Sequence, residues 1–173
     1  IKPLRPLRMA WRRLRPRPVA PEENFAVQFD APILPWATFV ARYGEEIAER
    51  LAQWEAERPT VGLRTARTLD YFQWRYGGHP HIRYGVYPAV NQQQRLVGFA
   101  ILRPNMRFGW QETVLSELCL PGQERTNGDA LLSKLLPTLR SDYVIAHAGL
   151  GTVELTQLRR HGFWSAPRQQ MIF

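Results

Sequence analysis

Three consecutive apolar runs constrain the fold of this 173-residue chain more than any other feature. They span residues 82–90, 96–103 and 112–120, and the polar turn Asn91-Gln92-Gln93-Gln94 joins the first two. Short runs rich in β-branched and aromatic residues, bounded by turn residues, are typical of strands. Strands that follow one another through short turns pair antiparallel. The sequence therefore predicts a three-stranded antiparallel meander at the centre of the chain.

Two helices are predicted before the meander. From Trp36 to about Glu57, apolar residues recur three or four positions apart with charged residues between them, which indicates one buried helical face, and Pro59 ends the pattern. Thr68 can cap a second, shorter helix that carries three apolar residues before Gly77-Gly78. The apolar positions of the two helices are Trp36, Phe39, Val40, Tyr43, Ile47, Leu51 and Trp54, then Leu69, Phe72 and Trp74.

The remaining elements alternate around the meander. Residues 25–29 predict a first strand, and a leucine-rich helix with Pro137 as a kink follows the third meander run. A strand over 143–146, a helix opened by Thr152 and closed by Gly162, and a last strand over 169–173, where the chain stops, complete the order. The sequence thus predicts one α/β domain over residues 24–173.

The positive charge is concentrated at one end of the chain. The formal charge is +8, and residues 1–20 carry seven basic residues and no acid, which leaves 16 basic and 15 acidic residues elsewhere. With four prolines in the same stretch, we interpret residues 1–23 as a basic Arg/Pro-rich linker or arm. Electrostatic binding of nucleic acid by this arm is the weaker alternative. Because the chain begins with Ile1, we expect a preceding segment.

Several classes of protein are disfavoured by composition. No apolar run approaches the roughly 20 residues that a membrane-spanning helix needs, so we expect no membrane span and a cytoplasmic location. The single cysteine, Cys119, excludes an internal disulfide and a cysteine-rich zinc site. His79 and His81 are too isolated to predict a metal site.

One hexad, Arg125-Thr126-Asn127-Gly128-Asp129-Ala130, lies between the third meander run and the leucine-rich helix. With the element order and the run Leu158-Arg-Arg-His-Gly-Phe163, it resembles the GNAT acetyltransferase superfamily. That resemblance implies a mixed, mostly antiparallel sheet flanked by helices. Residues 67–76, which contain Trp74-Arg75-Tyr76, and the following His79-Pro80 resemble the C-terminal half of bacterial tandem GNAT proteins, some of them linked to cell-surface polysaccharides. This second resemblance implies a missing N-terminal domain or a homo-oligomer as partner.

The resemblance implies that acetyl-CoA is the acyl donor. Backbone N–H groups at a helix start can bind a pyrophosphate, Gly128 lacks a Cβ that would obstruct it, and Arg125 adds a cation. The N–H near the end of the third run would polarise the thioester. Alternatively, Asn127 or Asp129 only caps the helix, and both Glu124 and Asp129 oppose a phosphate. The implied cofactor-binding residues are Cys119, Leu120, Gln123, Arg125, Thr126, Asn127, Gly128, Asp129 and Ala130.

Acyl transfer to an amine needs a base and an acid. Glu117 is the candidate base, because it is polar within an apolar strand and period-two alternation predicts that it shares a face with Leu115 and Cys119. A solvated Glu117, or one paired with Arg103 or Arg107, is the alternative.

The family often places a tyrosine acid where this chain has Leu158. Tyr143 is therefore the candidate acid, with Tyr84 and His147 as alternatives. Cys119 is disfavoured as a nucleophile, since its setting is apolar.

Two functions follow from the sequence. The first is an acyl-CoA-dependent N-acyltransferase that acts on a small-molecule or amine acceptor by direct transfer. The second is a catalytically decayed domain of the same fold that serves as a scaffold for a missing N-terminal domain, which Leu158 and the acidic residues Glu124 and Asp129 favour.

Overall fold

A six-stranded sheet organises the chain. The computed structural model describes residues 1–4, 33–57, 65–79, 81–120, 125–146 and 153–164. The strands are β1 (Lys2–Pro3), β2 (Leu34–Pro35), β3 (Gly85–Val90), β4 (Leu96–Arg107), β5 (Trp110–Cys119) and β6 (Tyr143–Ala146), in the spatial order β1-β6-β5-β4-β3-β2. The helices are α1 (Trp36–Glu57), α2 (Leu69–Phe72), α3 (Arg125–Leu135) and α4 (Val153–Arg160). The predicted fold class is confirmed: a mixed α/β fold with a mostly antiparallel sheet and flanking helices.

The predicted meander is β3, β4 and β5, and both neighbouring pairs are antiparallel. β4 runs further than predicted, to Arg107, and meets β5 through a two-residue turn at Phe108 and Gly109. Both turn residues have positive φ, 50° and 76°, as tight hairpin turns require. Phenylalanine rarely occupies such a position, so the sequence did not indicate the turn.

The last two strands extend the sheet beyond β5. β6 has the predicted bounds and pairs parallel with β5, and β1 pairs antiparallel with β6. Leu4 continues this edge by donating its N–H to the Asp142 carbonyl over 2.8 Å. Lys2 and Pro3 therefore lie in the sheet, where the sequence predicts the start of a basic arm.

Each face of the sheet buries its own hydrophobic core. The aromatic core, under α1 and α2, comprises Trp36, Phe39, Tyr43, Ile47, Leu51, Trp54, Phe72, Tyr76, Val86, Leu96, Phe99, Ile101 and Cys119. The leucine core, under α3 and α4, comprises Ile33, Tyr87, Ala100, Leu102, Leu115, Leu118, Leu131, Leu132, Leu135, Leu136, Val144, Leu158 and Phe163. Strand neighbours such as Val86 and Tyr87 alternate between the two cores, as the pleat requires.

The long first helix is confirmed with its predicted bounds and its predicted buried face, but it is kinked at Tyr43, whose φ of −128° and ψ of 16° are not helical. α2 is shorter than predicted and continues as a π-helical turn, Gln73–Gly77. Of the three apolar positions predicted for this helix, Trp74 is not part of the core, since it is 73% exposed. Tyr76 is buried instead, because it follows Phe72 by four residues and so lies on the same helical face.

The two helices over the leucine core end as their sequences suggest. α3 stops at Leu135, and Pro137 lies in the 3₁₀ turn that follows it, so the proline ends the α-helix rather than kinking it. After α4, Gly162 has a φ of 78°, and the Phe163 N–H bonds to the Leu158 carbonyl over 3.0 Å. This is the predicted left-handed glycine cap, with Leu158 and Phe163 in contact with the same core.

Some predictions lie outside the described residues: the strands over 25–29 and 169–173, and most of the basic arm. Among the residues that the structure describes, no helix is long and apolar enough to cross a membrane. The same residues bring together no group of three or more His, Cys, Asp or Glu side chains that could hold a metal ion.

Candidate functional site

The parallel strands β5 and β6 stop pairing before β5 ends. Their last pair joins Leu115 and Ala146, and β5 continues for four residues to Cys119. Over residues 117–119, β5 pairs with β4, and within the described ranges no β6 residue accompanies it. Among the described residues, no strand therefore pairs with β5 on the β6 side beyond Leu115.

A β-bulge at Ser116 determines which face of the sheet each side chain at this end of β5 occupies. Ile101 pairs with Glu117, whereas Leu102 pairs with Leu115, so Ser116 is the extra residue on β5. The extra residue reverses the alternation, and the prediction that Glu117 shares a face with Leu115 is wrong. Glu117 faces the aromatic core with Cys119, while Leu115 belongs to the leucine core.

The Glu117 carboxylate is held at both oxygens. Oε1 accepts a hydrogen bond from the Tyr76 hydroxyl at 2.7 Å, and Oε2 lies 3.3 Å from an Arg67 guanidinium nitrogen. The Glu117 side chain is only 9% exposed, so this is a largely desolvated carboxylate with one neutral donor and one cation. The partners anticipated from the sequence, Arg103 and Arg107, are not the ones that the structure gives.

The two partners of Glu117 are themselves supported. Arg75 donates from Nε to the Tyr76 hydroxyl oxygen at 3.0 Å, so the hydroxyl accepts from Arg75 and donates to Glu117. Burial, followed by the Glu117 charge and hydrogen bond, raises the pKa of Tyr76 and keeps the hydroxyl protonated. The Arg67 guanidinium lies over the Trp54 ring, 4.6 Å from its centroid.

Tyr143, the candidate acid, lies elsewhere on the sheet. It pairs with Glu112, five residues before Glu117 on β5, which corresponds to about 16 Å along the strand. Burial and a hydrogen bond with Glu112 raise the pKa of Tyr143. The structure does not bring Tyr143 and Glu117 together. Tyr84 is closer, since its ring lies 4.9 Å from that of Tyr76, and His147 lies outside the described residues.

The hexad forms the first six residues of α3 rather than the loop before it. The N–H groups of residues 125–128 are therefore those that lack partners within the helix. Gln123 and Glu124 lie outside the described residues, as do the side chains of Arg125, Thr126 and Asn127. Ala130 is exposed on the second turn, and at the end of β5 Cys119 is buried and Leu120 half-buried.

Gly128 packs against α4. It is buried, and a Cβ built at this position would collide with the side chain of Gln157 on α4. The Gln157 side chain thus lies beside Gly128, where the sequence analysis expects a pyrophosphate to approach. Leu158, the next residue, is 4% exposed in the leucine core.

The Asp129 carboxylate faces Arg160, the last residue of α4, and His161, which follows it. The carboxylate lies 3.4 Å from an Arg160 guanidinium nitrogen and 3.3 Å from His161 Nε2. The negative charge that the sequence places near the helix start is therefore directed to the end of α4. The pairing reduces the repulsion that Asp129 would exert on an anion at the first turn of α3.

Sequence reasoning missed Arg67 and Tyr76 as the neighbours of Glu117. Both belong to the run 67–76, which the sequence singles out only by its resemblance to other proteins. Helical spacing from Phe72 indicates that Tyr76 is buried, but its partner lies 41 residues away on β5. The contact depends on the bulge at Ser116, which sequence alternation does not reveal.

Comparison with solved structures gives the class of fold. A protein described as a probable acetyltransferase superposes with a TM-score of 0.51 at 14% identity, over 71% of this chain and 87% of that chain. A Pyrococcus furiosus protein assigned provisionally as an acetyl transferase gives 0.49 at 10% identity, over 79% and 94%. At a TM-score below 0.5 the second likeness defines no fold by itself. No family model and no curated protein matches the sequence. The chain has an acetyltransferase-like fold.

Proposed function

We propose that this chain is an acyl-CoA-dependent N-acyltransferase that uses acetyl-CoA as donor and transfers the acyl group directly to an amine acceptor. One observation carries the proposal: Glu117, a desolvated carboxylate, stands two residues beyond the last β5–β6 pair, where no described strand pairs with β5 on that side. The acetyltransferase-like fold supports this reading, and we place the donor's thioester beside this end of β5.

The donor's pyrophosphate is proposed to bind the N–H groups of residues 125–128 at the start of α3. The helix dipole favours an anion there, and Asp129 is paired with Arg160. Gly128 contributes its N–H but no open surface, since Gln157 covers it. Acetyl-CoA supplies a thioester that is reactive towards amines. The end of β5, Cys119 and Leu120, would border that thioester.

Glu117 is proposed to remove a proton from the acceptor's ammonium group, which leaves the amine free to attack. Tyr76 fixes the orientation of the carboxylate through the 2.7 Å hydrogen bond. We place Tyr84 rather than Tyr143 as the acid that protonates the leaving thiolate, because Tyr84 adjoins Tyr76 while Tyr143 lies about 16 Å along the strand.

Calorimetric titration with acetyl-CoA, followed by thiol-release assays with a panel of amines, tests this function. We expect binding and turnover, and a fall in kcat of about 10²- to 10⁴-fold in Glu117→Gln. Glu49→Gln is the matched control, because Glu49 pairs with Arg50 at 3.3 Å on the exposed face of α1. Absence of binding at millimolar acetyl-CoA and coenzyme A would contradict the proposal.

A decayed scaffold of the same fold is the second candidate function. Three observations favour it. Gln157 fills the space beside Gly128, Leu158 is a core residue, and Arg67 forms an ion pair with the Glu117 carboxylate. This candidate predicts that an upstream domain, joined to residue 1, changes stability or oligomeric state. If such a longer chain behaves as the two parts do separately in calorimetry and sedimentation, the scaffold is excluded.

A further inference from the structure

Arg67 stands where a cationic acceptor would have to bind. If Glu117 accepts a proton from an ammonium group, that group must approach one of the two carboxylate oxygens. Oε1 is engaged by the buried Tyr76 hydroxyl, and Oε2 is engaged by Arg67, whose side chain is 26% exposed. The oxygen on the more accessible side therefore already faces a cation in the resting protein.

The surroundings of Arg67 allow it to leave Glu117 without losing its other support. Arg67 belongs to the segment that joins α1 to α2 and is part of neither a helix nor a strand. Its guanidinium stacks on the Trp54 ring, and its backbone N–H lies 3.4 Å from Glu55 Oε2. Both contacts are independent of Glu117, so the guanidinium can stay on the ring while the carboxylate changes partner.

Tyr76, unlike Arg67, is a buried partner of Glu117. It is 4% exposed, packs against Trp36, Phe72 and Tyr84, and holds its hydroxyl between Arg75 and Glu117. A displaced Tyr76 would leave buried polar groups unpaired, which costs more than moving a half-exposed arginine. The cluster thus contains one fixed ligand and one replaceable ligand of the same carboxylate.

We propose that Arg67 is a positioning residue that holds the acceptor's place: its guanidinium occupies the ammonium position on Glu117 Oε2 and is exchanged for the acceptor's ammonium, while Tyr76 stays bound. This rests on the proposed function. The exchange makes Arg67 a competitor of the acceptor for Glu117. Acceptors must therefore carry a compact cation, and neutral nucleophiles such as alcohols cannot replace the guanidinium charge.

The test that needs no donor uses methylammonium as probe. In Arg67→Met, which keeps the aliphatic stem over Trp54, we expect methylammonium chloride to raise Tm saturably above an equal concentration of sodium chloride. Wild type should need about fivefold more methylammonium for the same increase, and the double variant Arg67→Met/Glu117→Gln should show none. Arg95→Gln is the matched control, because Arg95 pairs with Glu46 at 3.5 Å on the surface. An equal response in all four proteins would overturn the proposal. If Arg67→Met does not fold, Arg67→Gln takes its place.

The activity test separates binding from chemistry. With acetyl-CoA and an active amine, Arg67→Met should lower the acceptor KM about fivefold, with kcat within about twofold of wild type. A raised KM, or a loss of kcat beyond tenfold, would show that Arg67 instead holds Glu117 in its working position and would overturn the proposal. If wild type shows no turnover, the proposed function fails, but the methylammonium result still decides whether Arg67 occupies a cation site.

Discussion

Replacing Gly128 with alanine tests whether the hexad glycine serves packing. Gly128 is the fourth residue of α3, and its Cβ position is filled by the buried side chain of Gln157. In an open helical position, glycine to alanine stabilises by about 1 kcal/mol. Overpacking a buried contact costs about 1–3 kcal/mol. The net expectation for Gly128→Ala is a destabilisation of about 1 kcal/mol, or roughly 2–4 °C in Tm for a chain of this size.

The second half of the experiment removes the Gln157 side chain. In a Gln157→Ala background, Gly128→Ala should stabilise by about 1 kcal/mol, which gives a coupling of about 2 kcal/mol in a double-mutant cycle measured by urea unfolding. Gly44→Ala is the matched control, because a Cβ at Gly44 in α1 meets no atom within 4 Å, so that variant should be more stable. If Gly128→Ala is stabilising in the wild-type background, or if the two substitutions are additive, the packing explanation is refuted.

Three further predictions concern the residues around the site. Tyr76→Phe removes the donor to Glu117 and the acceptor of Arg75, so the free energy of unfolding should fall by about 1–2 kcal/mol in urea titrations, and an unchanged value would contradict the network. Folding raises the pKa of Tyr76 and Tyr143 above the ordinary value of 10.0, so stability should hold below pH 10 and fall as pH rises further; Tyr76→Phe and Tyr143→Phe should each flatten that fall, and a stability that rises with pH there would reverse the sign. Leu158→Tyr inserts a hydroxyl into the leucine core and should cost about 1–3 kcal/mol without raising thiol release, whereas a gain in turnover would show that the position still reaches the site.

Local patterns predicted most of the fold. The spacing of the apolar residues from Trp36 to Trp54 predicts α1, because residues three or four positions apart lie on one face of a helix. The meander follows from short turns between apolar runs, and Gly162 ends α4 by its left-handed backbone. These features depend on neighbours within a few residues, which a sequence displays directly.

The site was less predictable, because it depends on contacts distant in sequence. The bulge at Ser116 moves Glu117 to the other face from Leu115, and nothing in the local sequence requires an extra residue there. Tyr76 and Arg67 meet Glu117 only after α2 has packed on the sheet. Gly128 was predicted as a phosphate-binding glycine, and its packing role emerges only once α4 places Gln157 against it.

The most direct test of the central claim is an amide NMR titration of the protein with coenzyme A. We expect saturable shifts at the N–H groups of residues 125–128, which begin α3, and at Cys119 and Leu120, where β5 ends. The amides around Glu112 and Tyr143, at the other end of the same strands, should stay unchanged. Shifts confined to that other end, or no shifts at millimolar coenzyme A, would contradict the proposal that this fold binds an acyl-CoA donor.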